Sequence, residues 1–362
     1  MKVLIVSGIW PPDVGGPASH APEVAAWLGE RGHEVEAVVT ADHAPAREAY
    51  PVSWTRRSLP PGVRHLRSLT AVAARARSAD VVYSTGMFGR SSLGALLART
   101  PVVLKITADP AFERARRRGL VAGEVGAFQS GGGGTVGRLL RLARDRAIGR
   151  AAHVVCPSAF MCDLVVSWGV PESRVDVLPN PAPRPEDAQA FDVGEHPVLA
   201  FAGRLTAQKN LDLAFEAVGD TRLLVAGDGP ERARLEAKAG ANVTFLGALP
   251  RARTLGVLAA ADGSVLSSDW ENFPHGVVES LAVGTPVVAT RTGGVAEIVR
   301  DGENGLLVDP GDAAAFRDAV DRYLGDPVLR ERLRANAAAS VARFDRDEVY
   351  GRLEAILEEA AR

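Results

Sequence analysis

The apolar positions of this chain fall in short continuous runs, separated by longer stretches of helical spacing. Residues 2–7 are β-branched and apolar with no polar alternation, the mark of a strand buried on both faces. Similar runs at 34–40, 79–84, 101–106, 152–156 and 175–178 predict further strands. Helical periodicity fills the intervals, beginning at about 17–31, where Gly32 supplies a C-cap. After the proline-dense stretch 178–185, a stiff connector, the same rhythm resumes. Strands are predicted at 197–202, 221–226, 243–246, 263–266, 286–289 and 305–308, and helices near 210–218, 230–239, 251–260, 276–283, 295–299, 313–323 and 327–338.

Strands alternating with helices imply parallel sheets with helices on both faces. The expected fold class is α/β, with two doubly wound parallel-sheet domains, over 1–180 and 186–344, facing a central cleft. No fixed-period repeat relates the halves. Residues 345–362 form an amphipathic helix with Val349, Leu353, Ile356 and Leu357 on one stripe. One segment breaks the rhythm. Residues 119–137 contain four consecutive glycines, which read as a mobile surface loop or a lid.

Composition changes the picture only by exclusion. The chain has 362 residues, is 46% hydrophobic and carries a formal charge of -2, which gives it no global attraction to nucleic acid or an anionic membrane. Cys156 and Cys162 are too few for a disulfide framework and read as buried free thiols. The N-terminal apolar run meets Pro11-Pro12-Asp13 without a small-residue cleavage site, and no apolar run approaches a membrane span, so a soluble cytoplasmic protein is expected. Arg114, Arg116, Arg117 and Arg118 read first as a solvated helix face, with attraction of an anionic acceptor or a membrane surface as the alternative; membrane contact is possible but not indicated.

The candidate chemistry lies in loops that follow strands. Gly15 and Gly16 precede a helix and can admit an anion to its positive end, although the spacing is not that of a dinucleotide fingerprint. His20 lies one turn further on. Asp109 before Pro110 is either a helix cap or an acceptor of hydrogen bonds from a polyhydroxylated substrate. Arg204, after Gly203, and Lys209 suit a diphosphate whose charge grows on leaving. Gly227-Asp228-Gly229 is either a structural turn, the favoured reading, or a loop that places backbone near a nucleotide. Glu271 and Glu279 bracket Phe273-Pro274-His275-Gly276-Val277-Val278, where a helix start can meet phosphate oxygens and the glutamates can accept sugar hydroxyls. Asp345-Arg346-Asp347 imitates a metal-binding Asp-x-Asp but sits at a helix start, where it caps.

These motifs resemble the retaining glycosyltransferases of the GT-B class, family 4. The resemblance rests on Gly203-Arg204 with Lys209, on Glu271 and Glu279 with the Ser-Leu-Ala-Val-Gly-Thr-Pro that follows, on Gly293-Gly294 to Glu297, and on Gly305 to Val308. In the first half it rests on Pro11 to Gly16. It implies that Arg204 and Lys209 contact a donor diphosphate and that Glu279 holds the ribose. Glu271 and the backbone of Phe273 to Gly276 would face the donor sugar, and backbone from Phe245 to Leu249 would meet the base. His20 and Asp109 become acceptor-side candidates; many members carry histidine near the position of Asp109. The implied substrate is a UDP- or GDP-type sugar, with an unidentified acceptor, no cofactor and no required metal. The terminal helix 345–362 would pack back on the first domain, and domain closure would accompany turnover. A sugar-nucleotide epimerase and a catalytically silent sugar-nucleotide binder are the alternatives on the same architecture.

Overall fold

The structure is a computed structural model that describes residues 1–13, 16–121, 125–194 and 197–362. It divides into two compact units: Met1–Pro179 with Val349–Arg362, and Asn180–Glu348.

The first unit runs β1 (Lys2–Ser7), α1 (Gly16–Glu30), β2 (Glu34–Ala41), β3 (Val52–Arg56), α2 (Pro61–Ala76), β4 (Val81–Ser84), α3 (Phe88–Ala98), β5 (Val102–Lys105), α4 (Pro110–Arg117), α5 (Val125–Gln129), α6 (Gly134–Ile148), β6 (His153–Cys156), α7 (Ala159–Ser167) and β7 (Val175–Val177). Its strands pair in parallel in the order β3-β2-β1-β4-β5-β6-β7. Ile5 sits opposite Ala37 of β2 on one side and Tyr83 of β4 on the other, so the order in which strands are added to the sheet reverses at β1. That reversal leaves an opening at the carboxyl ends of the central strands, where such sheets bind ligands. The pleat sends alternate residues to opposite faces. Val3 and Ile5 enter a core with Trp27 and Leu28 of α1, while Leu4 and Val6 enter one with Val72 of α2 and Ala95 of α3.

The second unit runs β8 (Val198–Ala202), α8 (Leu211–Val218), β9 (Arg222–Ala226), α9 (Arg232–Lys238), β10 (Val243–Gly247), α10 (Arg251–Ala260), β11 (Gly263–Leu266), α11 (His275–Ala282), β12 (Val287–Thr290), β13 (Gly305–Val308), α12 (Ala313–Gly325) and α13 (Pro327–Ser340). Its parallel order is β10-β9-β8-β11-β12-β13. Phe201, Val225, Val265 and Phe316 fill one face; Val277, Leu281 and Ala289 fill another.

The last helix, α14 (Arg346–Ala361), has its bulk in the first unit. Val349, Tyr350, Leu353 and Leu357 join Trp27 and Val3 in one core. Asp345 Oδ1 accepts the N–H groups of Asp347 (2.8 Å) and Glu348 (3.2 Å), so the first aspartate of Asp345-Arg346-Asp347 caps the helix. Cys156 and Cys162 are buried free thiols. No described helix is long and apolar enough to cross a membrane.

Three local expectations change. The glycine run is a turn between two helices rather than a long loop: Gly133 takes a left-handed φ of 81° before α6, and Arg141 donates to the carbonyls of Phe128 and Gly132. Ala122, Gly123 and Glu124 of that segment lie outside the described residues. The helix expected at 295–299 is a short 3₁₀ turn, Gly293–Glu297. β3 has no counterpart in the expected strands. It is a half-buried edge strand whose Val-Ser-Trp-Thr-Arg sequence lacks a continuous apolar run.

Candidate functional site

The loops at the carboxyl ends of the second sheet form a hydrogen-bonded platform. Gly203 N–H donates to Ala226 O (3.0 Å), Gly227 N–H to Gly247 O (2.9 Å), and Leu205 N–H to Asp228 O (2.9 Å). The loop after β11 is stitched to the loop after β8 in the same way. Asp269 N–H donates to Gln208 O, Gln208 Nε2 to Trp270 O, and Ser267 Oγ to Lys209 O. Such mutual pairing holds irregular backbone rigid beneath functional side chains.

On this platform Lys209 Nζ donates to Glu271 Oε1 at 2.5 Å, and Ser268 Oγ donates to the same oxygen at 2.7 Å. Glu271 is buried, and its carbonyl accepts the N–H of Gly294 (3.0 Å). Its Oε2 has no hydrogen-bond partner among the described residues. Arg204 is exposed and, among the described residues, unpaired.

Beside them α11 begins after Pro274 with no side-chain cap. Val277 and Val278 N–H turn back to Pro274 O, and the Gly276 N–H has no partner among the described residues. A Cβ at Gly276 would fall 2.5 Å from Ala202 O, so glycine lets the helix start press against the end of β8. The result is an uncapped, positive helix end against the end of β8, the strand whose following loop carries Arg204 and Lys209, a setting that favours an anion. One turn further, Glu279 lies 3.5 Å from Arg251 Nε. Burial raises its carboxyl above the ordinary value, and Arg251 opposes the shift. His275 is exposed, its Nε2 3.1 Å from Asn180 Nδ2, and its ring meets Phe273 edge-on. Phe245 packs edge-on against Phe215, and Leu249 lies against the core, so what either offers beyond the platform is backbone.

The first-unit candidates fare differently. Asp109 caps α4: Oδ1 accepts Ala111 N–H (2.8 Å) and Phe112 N–H (3.2 Å). Oδ2 accepts from Gln129 Nε2 and Arg144 Nη1, both at 2.6 Å. The carboxylate is buried and its four acceptor positions are filled, so of the two roles weighed for Asp109 the contacts are those of the cap. Arg144 in turn lies over the Trp168 ring at 4.0 Å. His20 Nε2 is 2.9 Å from Tyr83 Oη, and its ring packs near Tyr350. Gly16 opens α1; Gly15 lies outside the described residues.

Sequence reasoning missed Ser268, Arg251 and Asn180. Ser268 had a signal, since it lies two residues past a strand and precedes Glu271 by three residues. Arg251 and Asn180 had none, because their partners come from elsewhere in the chain. Among the described residues one group, His33, Glu354 and Glu358, is close enough to hold a metal. There Glu354 already accepts from Arg31 Nε (2.8 Å) and lies 2.6 Å from His33 Nε2, which ties the turn between α1 and β2 to α14.

Residues 15–181 match the glycosyl transferase 4-like domain, and residues 184–340 match glycosyl transferases group 1. Alpha-D-kanosaminyltransferase of Streptomyces kanamyceticus is 31% identical over 169 residues, 43% of this chain and 44% of that protein. Lipopolysaccharide core biosynthesis glycosyltransferase LpsE of Rhizobium meliloti (strain 1021) is 38% identical over 164 residues, 42% and 47%. The chain thus spans less than half the length of these curated relatives. The fold superposes on Anabaena Alr3699/HepE, solved in complex with UDP and glucose, with a TM-score of 0.79 at 19% identity, covering 99% of this chain and 100% of the other. With two Rossmann-like units and a matching glycosyl transferase domain on each, the chain belongs to the GT-B glycosyltransferases related to family 4.

Proposed function

We propose that this chain is a retaining glycosyltransferase that moves a sugar from a UDP- or GDP-type donor to a hydroxyl or amine acceptor. The observation that carries the reading is the uncapped start of α11, with Lys209 and Glu271 on one side and Glu279 one turn inside. The donor diphosphate lies against the Gly276 N–H, with Arg204 and Lys209 countering its charge. Lys209 keeps donors to spare beyond the one given to Glu271. Glu279 accepts the ribose hydroxyls, and Glu271 Oε2 accepts a hydroxyl of the sugar. Backbone from Phe273 to Gly276 lines the sugar, and backbone from Phe245 to Leu249 meets the base.

In the transition state the bond from the anomeric carbon to the phosphate oxygen breaks while the acceptor oxygen or nitrogen bonds on the same face. The departing phosphate takes the acceptor's proton. Negative charge grows on that phosphate, so groups aimed at it favour the transition state over the ground state. Two cations and a helix end supply this stabilisation without a metal ion. The relatives named above support the chemistry, since their names describe transfer of sugars.

The test is incubation with a panel of nucleotide sugars, with free nucleotide as the readout, followed by NMR of the glycosylated product. Slow donor hydrolysis by one sugar nucleotide, a retained anomer and activity that survives EDTA are expected. An inverted anomer overturns the mechanism, and a changed sugar without nucleotide release makes the protein an epimerase.

A further inference from the structure

Helix α3 is built inside out. Its buried side holds Ser91, Ser92, Gly94 and Ala95, while Leu93, Leu96 and Leu97 face solvent. Ser91 is hydrogen-bonded to Ser84 Oγ (2.8 Å), but the buried Ser92 hydroxyl has no partner among the described residues. A helix selected only to cover a sheet would turn its leucines inward. Both flanking helices, α2 and α6, pack on α3 and continue the pattern. Leu66 is 63% exposed, Leu96 55%, Leu97 58% and Leu139 61%, with Val63 and Leu142 beside them. Scattered exposed leucines are ordinary, but a row across three neighbouring helices marks an interaction surface.

The same region concentrates charge. Residues 61–150 contain 16 Lys and Arg against 5 Asp and Glu, whereas the whole chain has 42 against 44. Arg64, Arg67, Arg90, Arg114 and Arg138 form no ion pair among the described residues; Arg64 and Arg90 donate only to Arg57 O and Ser68 Oγ. Burial, with Arg64 and Arg114 nearby, pulls the Arg90 guanidinium down to about 10, as expected where cations crowd without carboxylates. On α6, Arg138, Leu139, Leu142 and Arg146 are exposed on one side, so cation and leucine share a single stripe.

We propose that the outward face of α2, α3 and α6 docks on an anionic lipid bilayer. Arginines reach phosphate headgroups while leucines enter the acyl boundary, the combination that holds a peripheral helix face in the interface. The arginine run at 114–118, read from sequence as a solvated face, flanks this surface through α4, which packs on α6. A nucleic acid would use the charge and leave the leucines exposed. A two-fold contact with a second copy would set arginine against arginine.

The test is sedimentation of the full chain with phosphatidylcholine vesicles, with and without phosphatidylglycerol. Binding should require phosphatidylglycerol and weaken as salt rises. Each of Arg64→Ala, Arg67→Ala and Arg138→Ala should lower it about fivefold. Leu96→Ser with Leu97→Ser should lower it about tenfold. Arg67, Arg138, Leu96 and Leu97 are exposed and the half-buried Arg64 gives up one bond to the Arg57 carbonyl, so circular dichroism should show folded variants. Equal binding to neutral vesicles, or no binding to either, overturns the proposal. So does wild-type binding by the leucine variant, which would mark a general polyanion site. Self-association in solution that the leucine variant abolishes, without vesicle binding, would assign the face to a second copy instead.

Discussion

Two carboxylates follow strands in the two units and end in opposite states. After β5, Asp109 is buried with both oxygens occupied by two backbone N–H groups, Gln129 and Arg144. After β11, Glu271 gives one oxygen to Lys209 and Ser268, and its other oxygen remains unpaired among the described residues. In sequence each is an acidic residue in a loop near a proline and a helix start. What separates them is the cation opposite. Arg144 is buried inside its own unit, whereas Lys209 retains a partly exposed ammonium beside an open helix end. A carboxylate is available to a ligand only if the fold leaves a lone pair unfilled.

The largest expected effect breaks the first half of this comparison. Asp109→Ala removes a helix cap and one of the two carboxylates that hold the buried Arg144, leaving Asp145 (2.8 Å) as its remaining ion-pair partner, and should cost about 3–4 kcal/mol of stability. Asp109→Asn, which keeps one cap acceptor, should cost less. Thermal unfolding reads both. A normal melting temperature with lost transfer would return Asp109 to the reaction.

The second half predicts the reverse profile. Arg204→Ala and Lys209→Ala should each lose about a hundredfold in turnover, on the order of 3 kcal/mol, because each removes charge aimed at the departing phosphate. The exposed Arg204 should leave stability within about 0.5 kcal/mol of wild type. A melting shift as large as that of Asp109→Ala would show that these cations are structural as well.

A third variant asks whether the first unit carries an electrostatic cost of its own. Lys105, at the end of β5, is buried, its one hydrogen-bond partner among the described residues being Leu178 O at 3.5 Å, and burial pulls its ammonium down to about 7. Between about 7 and the ordinary value of 10.5 the unfolded chain binds more protons than the folded one. Stability should therefore rise with pH across that window. Lys105→Met should flatten the rise and stabilise the protein near neutral pH by about 2 kcal/mol. Denaturant midpoints at several pH values decide it, and an unchanged slope would show that the ammonium reaches water.

The strands at both sheet centres were legible because parallel strands buried on both faces write continuous apolar runs. β3, half-buried at an edge, wrote none. The second unit's site was legible because Glu271, Gly276 and Glu279 lie within nine consecutive residues, so local spacing carried the geometry. The state of Asp109 was not, since it depends on Arg144, 35 residues away. The outward leucines of α3 were equally hidden. Periodicity marks an apolar stripe but not which way it faces, and reading it as core follows the usual rule that this helix violates.

Glu279 gives the smallest effect and the sharpest discrimination between folding and binding. Burial raises its carboxyl above the ordinary value, with Arg251 opposing. In the free protein the folded state then binds more protons than the unfolded one just above the ordinary carboxylate range. This group's share of stability is therefore full below that range and falls as pH rises through the raised value. Nucleotide affinity should move the other way. Ribose hydroxyls donate to an ionised carboxylate more strongly than to a protonated one, so binding should strengthen as pH rises through the same value. Glu279→Gln holds the side chain neutral at every pH. It should weaken nucleoside diphosphate binding near neutral pH by roughly 1 kcal/mol and erase this pH dependence, while raising the free protein's stability slightly. Calorimetric titration with the free nucleotide, beside denaturant unfolding across the same pH series, separates the two signs. A Glu279→Gln variant whose nucleotide affinity still titrates as in the wild type would move the ribose contact to another residue.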